Sequence, residues 1–73
     1  MSKLPRVSGA ETVSVLRKLG FYVRRQHGSH IILRRDVPFC QTVVPNHPEL
    51  DSGTLRAIIR QIGIGVDDFT RLL

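Results

Sequence analysis

Residues 21–35, FYVRRQHGSHIILRR, decide the fold of this 73-residue chain. β-favouring residues recur there with a period of two on both sides of Gly28, and glycine is well suited to a tight turn. The pattern predicts two antiparallel strands joined around Gly28. A third β-favouring run, Thr42-Val43-Val44, ends at Pro45 and completes a three-stranded meander.

A helix is predicted on the N-terminal side of this sheet, at about residues 9–19. Ser8-Gly9-Ala10-Glu11 has the capping-box pattern, in which serine and glutamate satisfy free amides at a helix start. Gly20 supplies a left-handed stop. Apolar residues recur at helical spacing between these signals, at Ala10, Val13, Leu16 and Leu19, with Val15 beside them.

Two helices are predicted on the C-terminal side. Asp51 or Ser52 caps the clearest amphipathic helix, which ends at Gly63 and has apolar residues at Leu55, Ile58, Ile59 and Ile62. The segment from Val66 to Leu73 opens with two acids, which suit a helix N-terminus, and predicts a short third helix.

The resulting fold class is α+β, with the order α-β-β-β-α plus a short C-terminal helix, and with the helices on one face of the sheet. Side-chain alternation predicts that Phe21, Val23, Ile31 and Leu33 are buried. The opposite face then carries Tyr22, Arg24, His30, Ile32 and Arg34. This face would combine phosphate-binding charge, a stacking ring and one proton-transfer group.

The chain is strongly basic, with 11 Lys and Arg against six acids and a formal net charge of +5. Nine of the basic residues are arginines, whose planar guanidinium suits phosphate oxygens and stacks on bases. Charge alone leaves two interpretations open, a nucleic-acid partner or a basic protein without an anionic ligand.

The short length and even composition favour one domain over residues 1–73. A reducing cytoplasm fits best, because Cys40 is the only cysteine and no intramolecular disulfide can form. No stretch approaches the roughly 20 apolar residues of a membrane span. Residues 1–6, MSKLPR, lack the apolar segment of a secretory signal.

His30 is the main catalytic candidate. An imidazole exchanges protons near neutral pH, so it is suited to assist the attack of an RNA 2′-hydroxyl on the adjacent phosphate, and nearby arginines can stabilise the developing charge. The alternative is a hydrogen-bonded structural histidine at the head of a strand.

The other candidates have simpler explanations beside their functional ones. His47 is either a second catalytic residue or a loop residue before the second long helix, and His27 either faces phosphate or is a solvated turn residue. The histidine and cysteine spacing matches no zinc pattern, so no metal is expected. Three further residues near turns or caps, and the lone cysteine, complete the set. Ser29 is a turn residue whose hydroxyl could contact a phosphate. Gly53 and Thr54 lie at the start of a helix, where their free amides could bind another phosphate or simply be part of the helix cap. Cys40 is a small packed residue.

The chain resembles the HicA toxin family, also called YcfA-like mRNA interferases. The resemblance is carried by four segments in order along nearly the whole chain. They are Leu19-Gly20-Phe21, Gly28-Ser29-His30, Val44-Pro45 with His47, and Gly53-Thr54-Leu55-Arg56 continuing through Ile59 and Gln61 to Gly63. Ile31-Ile32 and the loop at residues 36–39 depart from the family pattern, so no role is carried over to them.

This resemblance implies a fold like the double-stranded-RNA-binding domain and a toxin that cleaves mRNA without a metal or other cofactor. It implies that His30 is catalytic and that a cognate HicB-like antitoxin covers the site. The RNA-binding residues would be Arg24, Arg25, Gly28, Ser29 and Arg34, with His47 and Tyr22 as secondary candidates. No membrane contact is expected, and no DNA contact by the toxin alone.

Two other classes of function remain open. A non-catalytic RNA-binding module would bind RNA in a salt-sensitive way without cutting it. An inactive partner-binding protein would dock an acidic antitoxin-like surface and show no affinity for RNA.

Overall fold

The computed structural model describes residues 3–73, so the expectation for the N-terminus lies outside the described residues at positions 1 and 2. The strands form one antiparallel sheet in the order β1-β2-β3. The elements are α1 (Gly9–Lys18), β1 (Tyr22–His27), β2 (His30–Arg35), β3 (Cys40–Pro45), α2 (Ser52–Ile62) and α3 (Val66–Arg71). The predicted α+β fold is confirmed. Within residues 3–73, no helix has the length and apolarity needed to cross a bilayer.

Both ends of α1 follow the predicted signals. The Ser8 hydroxyl accepts from the Glu11 amide at 3.0 Å, and the Glu11 carboxylate accepts from the Ser8 amide at 2.9 Å. The helix ends before Gly20, whose φ of +93° is the left-handed conformation that favours glycine. At its start, Gly9 packs so closely on β3 that an added Cβ would collide with the carbonyl oxygen of Pro45.

The buried face of α1 differs from the predicted one. Ala10 is exposed, whereas Thr12 is fully buried beside Val15 and Leu16. Thr12 is tolerated in the core because its hydroxyl donates to the Ser8 carbonyl at 2.9 Å. A threonine that satisfies its own hydroxyl locally is therefore part of the face that packs on the sheet.

The strand register sorts the sheet residues into two faces, because directly paired residues project to the same side. On the helix-facing side, Ile31 pairs with Val44 and Leu33 with Thr42, and all four side chains are buried. The opposite side, which we call the open face, consists of three rows across the sheet. They are Tyr22/Arg34/Gln41, Arg25/Ile32/Val43 and His27/His30/Pro45.

A bulge in β1 corrects the place that simple alternation predicted for Arg24. Val23 pairs with Leu33 but Arg25 pairs with Ile32, so Arg24 is an extra residue opposite the β2 ladder. Consequently Arg25, rather than Arg24, lies in register on the open face. Val23 does project to the helix-facing side, but it is 36% exposed because α1 and α2 pack mainly against β3 and leave β1 largely uncovered.

One hydrophobic cluster joins the helices to the sheet. The predicted α2 residues Leu55, Ile58, Ile59 and Ile62 are all buried in it. The predicted third helix is α3, and its Phe69 is 0% exposed. The Lys18 ammonium of α1 also donates to the Leu72 carbonyl at 2.6 Å, which ties the C-terminal end of α1 to the end of α3.

The α2 N-cap is Asp51, and the helix ends at Gly63 with φ of +79°. A hydrogen bond from the Thr54 side chain, followed by one from the Thr54 amide at 2.8 Å to Oδ1, lowers the pKa of Asp51 below its usual 3.8. The nearby His47 acts in the same direction. The ionised carboxylate therefore stabilises the start of α2.

Asp51→Asn is expected to lower the melting temperature slightly at pH 7, because asparagine keeps a cap acceptor but loses the charge. The depressed pKa means that the charge contributes above the unfolded-state pKa and is lost as pH falls through the lower folded value. The difference between wild type and variant should therefore shrink below about pH 3.8. Thermal melts of wild type and variant at pH 7 and below pH 3.8 measure this difference in melting temperature. Asp51→Ala is the control, because it lacks the cap acceptor at both pH values. A difference that stays constant would contradict the charge effect.

Candidate nucleic-acid interface

Three chain segments meet at one end of the sheet. The Asn46 amide, just after β3, donates to the Ser29 carbonyl in the β1–β2 turn at 2.6 Å. The Gly9 amide at the start of α1 donates to the His47 carbonyl at 2.9 Å. These two backbone bonds hold the turn beside the connection from β3 to α2, so the geometry around the turn is set by backbone rather than by flexible side chains.

His30 is the first residue of β2 and follows a two-residue loop formed by Gly28 and Ser29. Gly28 has a φ of +56°, as the first position of a tight hairpin turn often requires. The Gln26 side-chain amide donates to the Gly28 carbonyl at 2.9 Å and braces the loop. The His30 side chain is exposed on the open face, and within residues 3–73 it makes no side-chain hydrogen bond. The structural-histidine alternative therefore has no bond to support it.

His27 is the last residue of β1 rather than a turn residue, and it pairs directly with His30. Its side chain is exposed. The pairing follows from the bulge at Arg24, since plain alternation from Tyr22 would turn His27 towards the helices. Two imidazoles therefore stand side by side on the open face.

The two open-face arginines have different surroundings. Arg25 is exposed, and within the described part of the chain it forms no ion pair. Arg34 is half-buried, donates from Nε to Asp36 Oδ1 at 2.9 Å, and lies 5.2 Å over the Phe39 ring. Part of the Arg34 charge is thus already compensated, and the guanidinium of Arg25 is the freer of the two to bind an anion.

Arg24 and Arg35 do not belong to the open-face rows. Arg24 is exposed at the bulge on the edge strand. Arg35 stacks 4.8 Å over the Phe21 ring and donates to the Pro38 carbonyl at 3.0 Å, so it stabilises the fold.

The end of the open face away from the histidines has a polar and aromatic cluster, of which the sequence predicted Tyr22 and Arg34 but not Asp36 and Phe39. The Tyr22 hydroxyl contacts both carboxylate oxygens of Asp36, at 3.1 and 3.2 Å. Phe39 is 65% exposed. Its only signal in the sequence is an aromatic residue in the short turn of residues 36–39, between two β-favouring runs. This cluster presents the aromatic rings of Tyr22 and Phe39 beside the ion pair of Arg34 and Asp36.

The remaining predicted residues are placed around the turn or in the core. The His47 side chain is exposed, while its carbonyl holds Gly9. The Thr54 amide is bonded to Asp51, and the Asp51 carboxylate occupies the helix N-terminus where a phosphate would bind. Capping therefore accounts for Gly53 and Thr54. Cys40 is half-buried, with Sγ 3.5 Å from the Gln61 carbonyl, as expected for a packed residue.

The open face is a surface rather than a cleft, since residues 3–73 enclose no pocket. In the same range, no group of three or more His, Cys, Asp or Glu side chains is arranged to hold a metal ion. What the surface offers is a pair of exposed imidazoles, uncompensated arginine charge in the neighbouring row, and an aromatic cluster beyond it. Such a surface suits an extended polyanion with bases that can stack.

Comparison with known proteins identifies the family. The model of the HicA toxin of bacterial toxin–antitoxin matches residues 9–64, which run from the first residue of α1 to just beyond α2. A search of curated proteins gives no significant match. The matched range includes the whole sheet and the histidine pair, and α3 lies beyond it. The chain therefore belongs to the HicA toxin family, the toxins of bacterial toxin–antitoxin systems, and that membership implies an antitoxin partner.

Proposed function

We propose that this toxin is an endoribonuclease that cleaves mRNA without a metal ion, with His30 as a general acid or base. The observation that carries the proposal is an exposed imidazole, free of side-chain hydrogen bonds within residues 3–73, on the open face of a HicA-family chain. Metal independence rests on the family resemblance and on the ability of imidazole to transfer protons near neutral pH.

The substrate would bind across the open face. Arg25, Arg24 and Arg34 would contact phosphates, with Arg25 contributing most because it lies in a row of the open face and, within residues 3–73, has no ion-pair partner. A backbone phosphate would approach closely at Gly28, where even an added Cβ would have no neighbour within 4 Å, and at the Ser29 hydroxyl. Tyr22 would stack a base, and the exposed His47 would be a secondary candidate beside the turn.

The antitoxin partner would be a HicB-like protein that covers this same surface. An acidic surface would complement the net charge of +5 and block His30. We place the activity in the cytoplasm, where mRNA is available and a single cysteine stays reduced.

The test is incubation of the purified protein with a mixed-sequence RNA in excess EDTA. We expect scission that leaves 2′,3′-cyclic phosphate and 5′-hydroxyl ends, because the 2′-hydroxyl is the nucleophile. RNA that stays intact but is retarded on a gel would instead indicate a binding module. RNA that is neither cut nor bound at low salt would indicate a protein that binds only its partner.

A matched pair of variants locates the RNA surface in the same assay. Arg25→Ala should weaken RNA binding and reduce its salt dependence by about one phosphate contact. Arg71→Ala removes the same kind of side chain from α3, where Arg71 pairs with Asp68 at 2.7 Å, and should leave binding unchanged. Equal effects of the two changes would contradict binding on the open face.

A further inference from the structure

The pairing of His27 with His30 has a chemical consequence. The two residues flank the two-residue loop and occupy one row of the open face. Directly paired residues in an antiparallel sheet have Cβ atoms roughly 4.5–5.5 Å apart. Both side chains are exposed, and within residues 3–73 neither is engaged in a side-chain hydrogen bond. The two rings can therefore reach one bound phosphodiester together.

The bulge at Arg24 is what creates this arrangement. Without the extra residue, Gln26 would lie on the open face and His27 on the helix-facing side. With it, Gln26 pairs with Ile31 on the helix-facing side and is free to brace the Gly28 carbonyl. One irregularity in β1 thus places a second titratable group beside His30 and stabilises the turn between them.

We infer that His27 is the second proton-transfer residue of the reaction, acting together with His30. This inference rests on the proposed ribonuclease function. Attack by a 2′-hydroxyl needs a base that removes its proton and an acid that protonates the departing 5′ oxygen. A single imidazole cannot be neutral and protonated at the same moment, so two groups divide the work most directly.

The step balances with these two residues alone. The neutral imidazole takes the 2′-hydroxyl proton, the 2′ oxygen bonds to phosphorus, and the bond from phosphorus to the 5′ oxygen breaks. The protonated imidazole gives its proton to the 5′ oxygen. The products are a 2′,3′-cyclic phosphate and a 5′-hydroxyl end. The imidazoles have then exchanged protonation states, and proton exchange with water restores them.

Other open-face groups are less suited to this second role. Arginine does not release its proton under these conditions, which excludes Arg25 and Arg34 as acids. The Tyr22 hydroxyl is bound to Asp36 and lies two rows away from His30. Pro45, the other member of the histidine row, has no ionisable group.

The experiment compares two RNA substrates in single-turnover cleavage with excess EDTA. One has the natural 5′ oxygen at the cleaved bond and the other has sulfur, which leaves without protonation. His27→Gln and His30→Gln should each slow the oxygen substrate by about 10²–10⁴-fold. With sulfur, the variant that lacks the acid should return close to the wild-type rate, while the variant that lacks the base should stay slow. Recovery in either variant, but not in both, supports the pair and assigns the roles.

Three results would overturn the inference. The first is that His27→Gln cuts the oxygen substrate at the wild-type rate, and the second is that sulfur rescues neither variant or both. The third is that His27→Arg retains the wild-type rate, which would make His27 a cation that binds phosphate rather than a proton-transfer residue. Circular dichroism of each variant excludes misfolding, and Arg71→Ala serves as the unaffected reference. If wild type itself leaves the RNA intact, the ribonuclease function fails, whereas normal wild-type cleavage with an active His27→Gln removes only the role of His27.

Discussion

Replacing His30 with alanine is expected to lower the rate of RNA cleavage by about 10²–10⁴-fold or more, and to leave the fold intact. The effect should be large because, in the proposed reaction, the imidazole of His30 transfers a proton during cleavage. The fold should survive because the side chain is exposed and takes part in no hydrogen bond within residues 3–73. Single-turnover cleavage in EDTA measures the rate, and circular dichroism with a thermal melt measures the fold.

Addition of free imidazole to His30→Ala sharpens this measurement. The site lies on an open surface, so a small molecule can enter the space left by the ring. We expect imidazole to restore part of the activity in a concentration-dependent way, while the same concentration has no effect on wild type. A folded His30→Ala protein that cuts RNA at the wild-type rate would remove His30 from the mechanism.

Replacing Phe69 with alanine is expected to cost about 3–5 kcal/mol of unfolding free energy. Phe69 is 0% exposed and fills the core beneath α3, although this helix lies beyond the range matched by the family model. A domain of this size has a total stability of only a few kcal/mol, so much of the variant should be unfolded at 25 °C. Urea unfolding followed by circular dichroism measures the loss.

Two further variants keep this prediction testable if Phe69→Ala does not fold. Phe69→Leu preserves most of the volume and should lose only about 1 kcal/mol. Leu73→Ala removes a side chain that is 48% exposed at the end of the chain and should change stability by less than about 0.5 kcal/mol. If Phe69→Ala and Leu73→Ala had similar small effects, α3 would not be part of the core.

Both predictions depend on a division between the two sides of the sheet. The helices and the hydrophobic cluster occupy one side, and His27, His30, Arg25 and Arg34 the other. Changes on the open face should therefore alter RNA cleavage with little effect on stability. Changes in the cluster should lower stability, while the fraction of protein that remains folded should cleave RNA at close to the wild-type rate.

The sequence by itself determined the order of the elements and the places where the helices begin and end. These signals are local. Ser8 and Glu11 bond to each other across three residues, Asp51 bonds to Thr54, and the left-handed conformation at Gly63 depends on the missing side chain. The buried face of α2 was equally predictable, because a regular apolar period has only one way to face a sheet.

Only the tertiary structure decided which strand residues share the open face. The bulge depends on hydrogen bonds between β1 and β2, which no local pattern encodes, and it moves Arg25 and His27 beside Ile32 and His30. Exposure of Val23 likewise depends on where the helices pack across the sheet rather than on its own apolarity. The motif around His30 was visible in the sequence, whereas its histidine neighbour came from the register, because pairing between strands is a non-local property of the folded chain.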